Sequence, residues 1–311
     1  MAADYPKTIL ELEHRFATEA SCREYLFQLR WPNGFICPRC RGDSAWLASR
    51  GRLVCRGCRH QTSVTAGTIF QDTRTPLVVW FRAIWYVTSQ KNGTSAASIQ
   101  RILGLRSYQT AWTWLHKLRR AMVRPGRDKL QGRVEVDETF VGGEDPEQGI
   151  WVEHKAVVII AAEEDGTGIG RIRLASIRAP TKKSLHRFAQ ETIEPGSLLH
   201  TDGRNAWAGI EALGYKRKRT VLLKQKEKNA ASRLLPRVHR VASLLKRWLL
   251  GTHQGAVRAE HLAYYLDEFT FRFNRRTSRS RGKLFYRLLQ QAVEIHPTTY
   301  RQIVGGNAAS Q

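Results

Sequence analysis

The hydrophobic pattern changes period along the chain, and each change marks an element. Between residues 7 and 30, Leu10, Phe16, Tyr25, Leu26 and Leu29 recur among charged residues as in helices, and Trp31-Pro32-Asn33-Gly34 closes the segment with turn chemistry. Two short β-like runs, Ala45-Trp46-Leu47 and Arg52-Leu53-Val54, follow around a Ser-Arg-Gly turn. From 76 to 123 the pattern is helical again. Pro76 can open a helix, Leu77, Trp80, Phe81, Ile84, Trp85 and Val87 form its stripe, Gly104 ends a shorter helix, and Ser107 can cap the next. This helix–Gly turn–helix spacing suits a helix-turn-helix or a plain helical hairpin; the basic Lys117, Arg119 and Arg120 on the second helix favour the former.

Beyond a linker at Pro125-Gly126-Arg127-Asp128, the pattern switches to alternation and β-branched residues. It predicts strands at 133–141, 155–162, 171–178 and 197–201, with a helix from Thr181 to Glu191, and hence a mixed α/β sheet. A helix over 236–250 buries Val238, Val241, Ala242, Leu245 and Leu249 on one face. Leu262, Leu266, Phe269 and Phe273 form the stripe of another.

Charge narrows the partner. The 311 residues carry 51 Lys+Arg against 27 Asp+Glu, a net charge of +24, which favours a polyanion and nucleic acid first. No stretch reaches the roughly 18 apolar residues of a membrane span, and the N-terminus lacks the pattern of a signal peptide. The expected location is the cytosol, with association to DNA and none to membranes.

The chain has five cysteines. Cys22 stands alone; the others form C-x-x-C pairs, Cys37/Cys40 and Cys55/Cys58. In a reducing compartment this spacing is that of a structural zinc site, two knuckles each giving two thiolates to a tetrahedral Zn2+. Arg39, Arg41, Arg50, Arg52, Arg56, Arg59 and His60 surround it, and make DNA the expected contact.

Two aspartates end apolar runs: Asp137 in Val134-Glu135-Val136-Asp137-Glu138-Thr139-Phe140-Val141-Gly142-Gly143, and Asp202 in Leu198-Leu199-His200-Thr201-Asp202-Gly203. Each taken alone could serve a turn. Together, on neighbouring strands of a basic protein, they suggest a Mg2+ site, two hard ions held by oxygen and acting on phosphates. By alternation, Glu135 and Asp137 share a strand face that Glu138 does not.

These motifs, with the block from Val238-His239-Arg240 through Lys246 to Tyr265-Leu266-Asp267-Glu268-Phe269-Thr270-Phe271-Arg272-Phe273-Asn274-Arg275-Arg276, resemble the transposases of insertion sequence family 1595. The resemblance covers about residues 15 to 290 and implies a multidomain α+β chain: a helical segment (1–32), a zinc ribbon (33–62), a helix-turn-helix region (63–125), an RNase H-like DDE-type catalytic domain (130–285) and a tail (286–311). It implies that Asp137 and Asp202 are the two aspartate ligands of Mg2+ and that Lys246 is the lysine near the third catalytic position. That position falls on Leu244, which cannot bind a metal. The third ligand then comes from elsewhere, with Glu268 and Asp267 as alternatives and His253 as a polar partner in the cleft, or the enzyme is impaired. Glu268 could equally pair with Arg272.

The arginine run from 272 to 281, and Lys216-Arg217-Lys218-Arg219 with Lys224, Lys226 and Lys228, are expected to track a phosphate backbone. The resemblance implies double-stranded DNA as partner, both transposon ends and target, and at least a homodimer when two ends pair. The expected activity is metal-dependent nicking that frees a 3′ hydroxyl, then its transfer to target DNA. A catalytically impaired zinc-ribbon DNA-binding protein is the alternative, and a structure-selective nuclease a second.

Overall fold

The computed structural model describes residues 4–124, 126–142, 156–220, 234–255 and 257–305. Pro125 of the expected linker, Gly143, Lys224, Lys226, Lys228 and the last residues of the tail, 306–311, lie outside them. In chain order the main elements are α1 (Ile9–Arg15), α2 (Glu19–Arg30), β1 (Ala45–Ala48), β2 (Arg52–Cys55), β3 (Gln61–Thr62), α3 (Leu77–Ser89), α4 (Ala96–Leu103), α5 (Tyr108–Ala121), β4 (Arg133–Val141), β5 (Ala156–Asp165), β6 (Gly168–Ile177), α6 (Lys182–Thr192), β7 (Leu198–Asp202), β8 (Lys216–Thr220), α7 (Pro236–His253), α8 (Leu262–Phe273), α9 (Arg281–Ala292) and α10 (Tyr300–Val304). The described residues divide into two compact units, one from 4–124 with 278–305, the other within 126–277.

The first unit holds β1-β2-β3, an antiparallel sheet in that order, among helices. Its core is aromatic. Phe16 meets Phe81 edge-on at 4.8 Å, Trp80 stacks on Trp114 at 3.7 Å, and Phe285 of α9 packs on Phe81 and Trp85 at 5.7 Å each. α9 therefore belongs to this core, and the segment read from sequence as a tail, 286–311, contains most of α9 and all of α10. Leu284, Phe285, Leu288 and Leu289 are buried, a helical stripe that needs a partner surface. Gly282 lets α9 approach the N-terminal segment; a Cβ there would overlap the Pro6 carbonyl oxygen.

α4 and α5 form where expected: Gly104 takes the left-handed conformation (φ 61°), and Ser107 caps α5 by accepting from the Thr110 N–H at 3.1 Å. The basic face expected on α5 is not a surface. Arg119 is buried, Lys117 and Arg120 are half-buried, and the exposed side chains of α4, the turn and the start of α5 include Arg101, Ile102, Arg106, Tyr108 and Gln109.

The second unit is built on a five-stranded sheet in the order β6-β5-β4-β7-β8. β4, β5 and β6 are antiparallel neighbours; β7 and β8 run parallel to β4. Sequence patterning missed β8, because its residues, Lys216-Arg217-Lys218-Arg219-Thr220, carry no apolar alternation; as an edge strand with mostly exposed side chains it needs none. One face packs on α6 through Val134, Val136, Ile159, Leu185, Phe188, Leu199 and Trp207. The other packs on α7 and α8 through Val158, Ile160, Ile172, Leu174, Val238, Val241, Leu245, Leu266 and Phe269.

Part of the arginine-rich run closes this sheet. Asn274 brackets the β6 edge, accepting from the Ile172 N–H at 2.7 Å and donating to the Ile172 carbonyl at 3.1 Å. Arg276 donates to the Gly170 and Ile169 carbonyls, and Arg272 pairs with Glu268 at 2.7 Å. These groups satisfy the polar edge of β6 and a buried carboxylate, so this part of the run also serves the fold.

Candidate active site and zinc site

The four paired cysteines converge. Cys37 Sγ lies 3.6 Å from Cys58 Sγ, and Cys40 Sγ 3.6 Å from Cys55 Sγ, with all four within 4.8 Å of one another. Tetrahedral Zn2+ with four thiolates requires sulfurs about 3.8 Å apart, so the donor set fits. The knuckles match in backbone: Arg41 and Arg59, each directly after a second cysteine, have φ of 65° and 61°. Each donates its N–H to the carbonyl of the first cysteine, Cys37 at 3.0 Å and Cys55 at 3.1 Å. Burial resists ionisation of Cys37, but the N–H groups of Cys40 and Arg39 and nearby thiols outweigh it and bring it down to about 6. The Gly42 N–H favours ionisation of Cys40, but the neighbouring sulfurs outweigh it and push it up to about 12. Cys22 is fully buried and, raised to about 12 chiefly by burial, is an inert core thiol.

Strand register sets the acidic site. β4 and β7 are parallel and pair up to Val136 opposite Thr201, so Asp137 and Asp202 are the next residues, side by side where the two strands part. Asp137, Glu138 and Asp202 each bring a carboxylate oxygen within 4.8 Å of the others. Asp137 Oδ1 accepts from the Glu138 N–H at 2.9 Å, and Asp202 Oδ1 accepts from the Arg204 N–H at 3.1 Å, so both aspartates also shape their own turns. The Arg204 guanidinium, over the cluster, lies 3.1 Å from Asp202 and 3.4 Å from Glu138. The Glu138 side chain is 1% exposed, and neither oxygen has a hydrogen-bond partner. Burial and then the Asp137 charge push its pKa up to about 7. Burial likewise raises Asp137 above the usual carboxylate range; the Glu138 N–H opposes this and the Asp202 charge adds to it. Buried, mutually repelling carboxylates, with both Glu138 oxygens lacking a hydrogen bond, are a donor set suited to a divalent cation.

Helix geometry turns Leu244 away from the acidic cluster. At about 100° per residue, positions 244 and 246 lie on opposite edges of the apolar face of α7. Leu244 packs with Trp248 against the core shared with α8. The edge that meets the cluster carries His239, whose Nε2 is 3.5 Å from Asp137 Oδ2. Lys246 follows two turns along that edge, and its side chain is exposed. Glu268 is not in the cluster; it is buried on α8 against Arg272, where the helix spacing i, i+4 puts it. His253 packs on Trp248 and Tyr265. Glu138, Arg204 and His239 were thus missed as site residues. Alternation pointed Glu138 away, and only the helical position of His239 beside Lys246 could have signalled it.

A second acidic group on the same face, Glu135, Glu164 and His200, is compensated. Glu135 caps α7, accepting from the Arg237 and Val238 N–H groups at 2.7 and 3.1 Å, and Arg237 reaches Glu135 at 2.9 Å and Glu164 at 3.5 Å.

Two family models match the chain: an ISXO2-like transposase domain over residues 129–274 and a transposase zinc-ribbon domain over residues 17–61. Together they span well over half of it. The chain belongs to the transposases of insertion sequence family 1595. A relative from Halobacterium salinarum, an uncharacterized protein in transposable element ISH50, is 26% identical over 288 residues, covering 86% of this chain and 94% of its own. Two solved structures are distantly similar. The Mos1 transposase paired-end complex with left transposon end has 10% identity and a TM-score of 0.31, covering 74% of this chain and 80% of that one. The Mos1 strand transfer complex has 11% identity and a TM-score of 0.22, covering 62% and 75%. Likenesses this low carry no argument. The family supports a transposition enzyme and a zinc-binding ribbon. Among the described residues no helix is long and apolar enough to cross a membrane.

Proposed function

We propose that this chain is an insertion-sequence DNA transposase that cuts DNA at transposon ends and joins the freed 3′ hydroxyl to target DNA. The carrying observation is the buried cluster of Asp137, Glu138 and Asp202 at the point where β4 and β7 part. The second unit, with antiparallel β6-β5-β4 continued by parallel β7 and β8, is read as an RNase H-like domain. The zinc ribbon and the α4–α5 pair, a helix-turn-helix in this reading, hold double-stranded DNA; the net charge of +24 supports a polyanionic partner. Two ends are paired by two or more protomers.

Asp137 and Asp202 would hold Mg2+ or a similar ion, with Glu138 beside them. When bound, such ions supply Lewis acidity to a phosphate and an activated oxygen for in-line displacement. The chain's own residues do the positioning. The β4–β7 register fixes the two aspartates, Arg204 draws Asp202 and Glu138 together, and α7 walls one side with His239 and Lys246 along its edge. Lys246, exposed and cationic, is placed to hold a DNA phosphate.

The test is strand cleavage and joining on a labelled transposon-end duplex with Mg2+. Wild type should do both, while Asp137→Asn and Asp202→Asn bind the duplex and do neither. A wild-type protein that binds but never cuts with Mg2+ or Mn2+ would instead be a DNA-binding relative without catalysis. Cleavage lacking end preference and joining would make it a structure-selective nuclease.

A further inference from the structure

We propose that His239 is the third ligand of the metal site, and that its nitrogen turns the preference of the site from Mg2+ towards a transition ion such as Mn2+. This rests on the metal reading given under Proposed function. Three observations carry it. His239 Nε2 lies 3.5 Å from Asp137 Oδ2. Adjacent ligands of a small octahedral ion are about 3 Å apart, so a shift of a few tenths of an ångström brings both onto one ion. The Nε2 atom is also shut off from solvent without a hydrogen-bond partner, which is costly for a ring nitrogen with no role. Finally, the position usually sought for a third ligand, Leu244, faces the core on the other edge of α7, so the helix offers the aspartates His239 and not Leu244.

Chemistry then sets the selectivity. Mg2+ favours oxygen and gives up water reluctantly, so an imidazole adds little to its binding. Transition ions accept imidazole and carboxylate together. Asp137 and His239 would then give the ion a mixed oxygen–nitrogen pair beside Asp202, unlike a set of carboxylates and water alone.

The test uses the zinc-loaded full chain, with Mn2+ alone and Mg2+ alone as probes. Electron spin-echo modulation of bound Mn2+ reports a coordinated nitrogen directly. It should be present in wild type and absent in His239→Ala and His239→Gln, the second preserving side-chain bulk. Mn2+ affinity should fall about tenfold or more in both variants, with little change for Mg2+, and circular dichroism should be unaltered. Nitrogen modulation that persists in both variants, or unchanged Mn2+ affinity, overturns the assignment. Asp137→Asn and Asp202→Asn separate the two layers. If they abolish Mn2+ binding while the His239 variants keep it, the histidine assignment alone falls. If they bind Mn2+ as wild type does, or if wild type binds none, the metal reading falls with it.

Discussion

Glu135 and Asp137 lie on the same face of β4, toward the same helix, yet of the two only Glu135 forms an ion pair with an arginine. Glu135 has the first N–H groups of α7 and the Arg237 guanidinium around it. Asp137 has the carboxylates of Glu138 and Asp202 as neighbours and sits where β7 no longer pairs with β4. The difference separates a buried charge that anchors a helix from one left available to a cation. Burial and acidity alone do not mark a site; uncompensated acidity does.

The largest effect expected from breaking this contrast is on chemistry. Removing the Asp137 charge takes away several kcal/mol of transition-state stabilisation, so Asp137→Asn should cut strand-cleavage rate by about a thousandfold or more. Its thermal midpoint without divalent metal should not fall. A midpoint drop as large as that of a core mutant would place Asp137 in the fold instead.

Glu135→Ala should behave in the opposite way. It leaves Arg237 unanswered and uncaps α7, costing about 3–5 kcal/mol, read as a lower denaturation midpoint in urea. A change under about 1 kcal/mol, the scale of a surface pair, would refute the anchoring role.

Glu138 gives the pH signature. Its folded pKa, raised to about 7, exceeds the ordinary 4.5, so the folded chain binds the extra proton. Its favourable contribution is full below pH 4.5 and is lost as pH rises through about 7. In metal-free protein above pH 7, Glu138→Gln should therefore stabilise by on the order of 2 kcal/mol. Added Mn2+ should narrow the gap by stabilising wild type more. Equal denaturation midpoints for the two proteins from pH 5 to 8 would show that Glu138 is not held above its usual range.

The smallest effect is expected from Leu244→Asn. It should cost about 1 kcal/mol of stability through lost packing and leave Mn2+ affinity untouched. Tighter Mn2+ binding in this variant would return the third ligand to position 244.

Much of the plan was legible in the chain. C-x-x-C spacing gave the zinc site, because a tetrahedral ion needs two short knuckles whatever lies between them. Alternation and turn residues located β4 through β7, and Gly104 and Ser107 bounded α4 and α5. Asp202 was found at a strand end, whereas Asp137 lies in the middle of β4, where β7 stops pairing with it. What escaped was decided between elements. β8 has no apolar alternation to read, the last helices return to the first unit through a buried stripe, and α8 takes Glu268 away from the cluster by pairing it with Arg272.

Sequence by itself determined which residues could ionise, which faces had to be buried and which turns had to form, since these depend on residue type and local spacing. Only the tertiary structure decided which charges would be neutralised. Neutralisation depends on distances of a few ångströms between groups far apart in the chain, as from Arg237 to Glu135 and Glu164. Those distances follow from the parallel register of β4 with β7 and the seating of α7 on the sheet, neither of which any local pattern specifies.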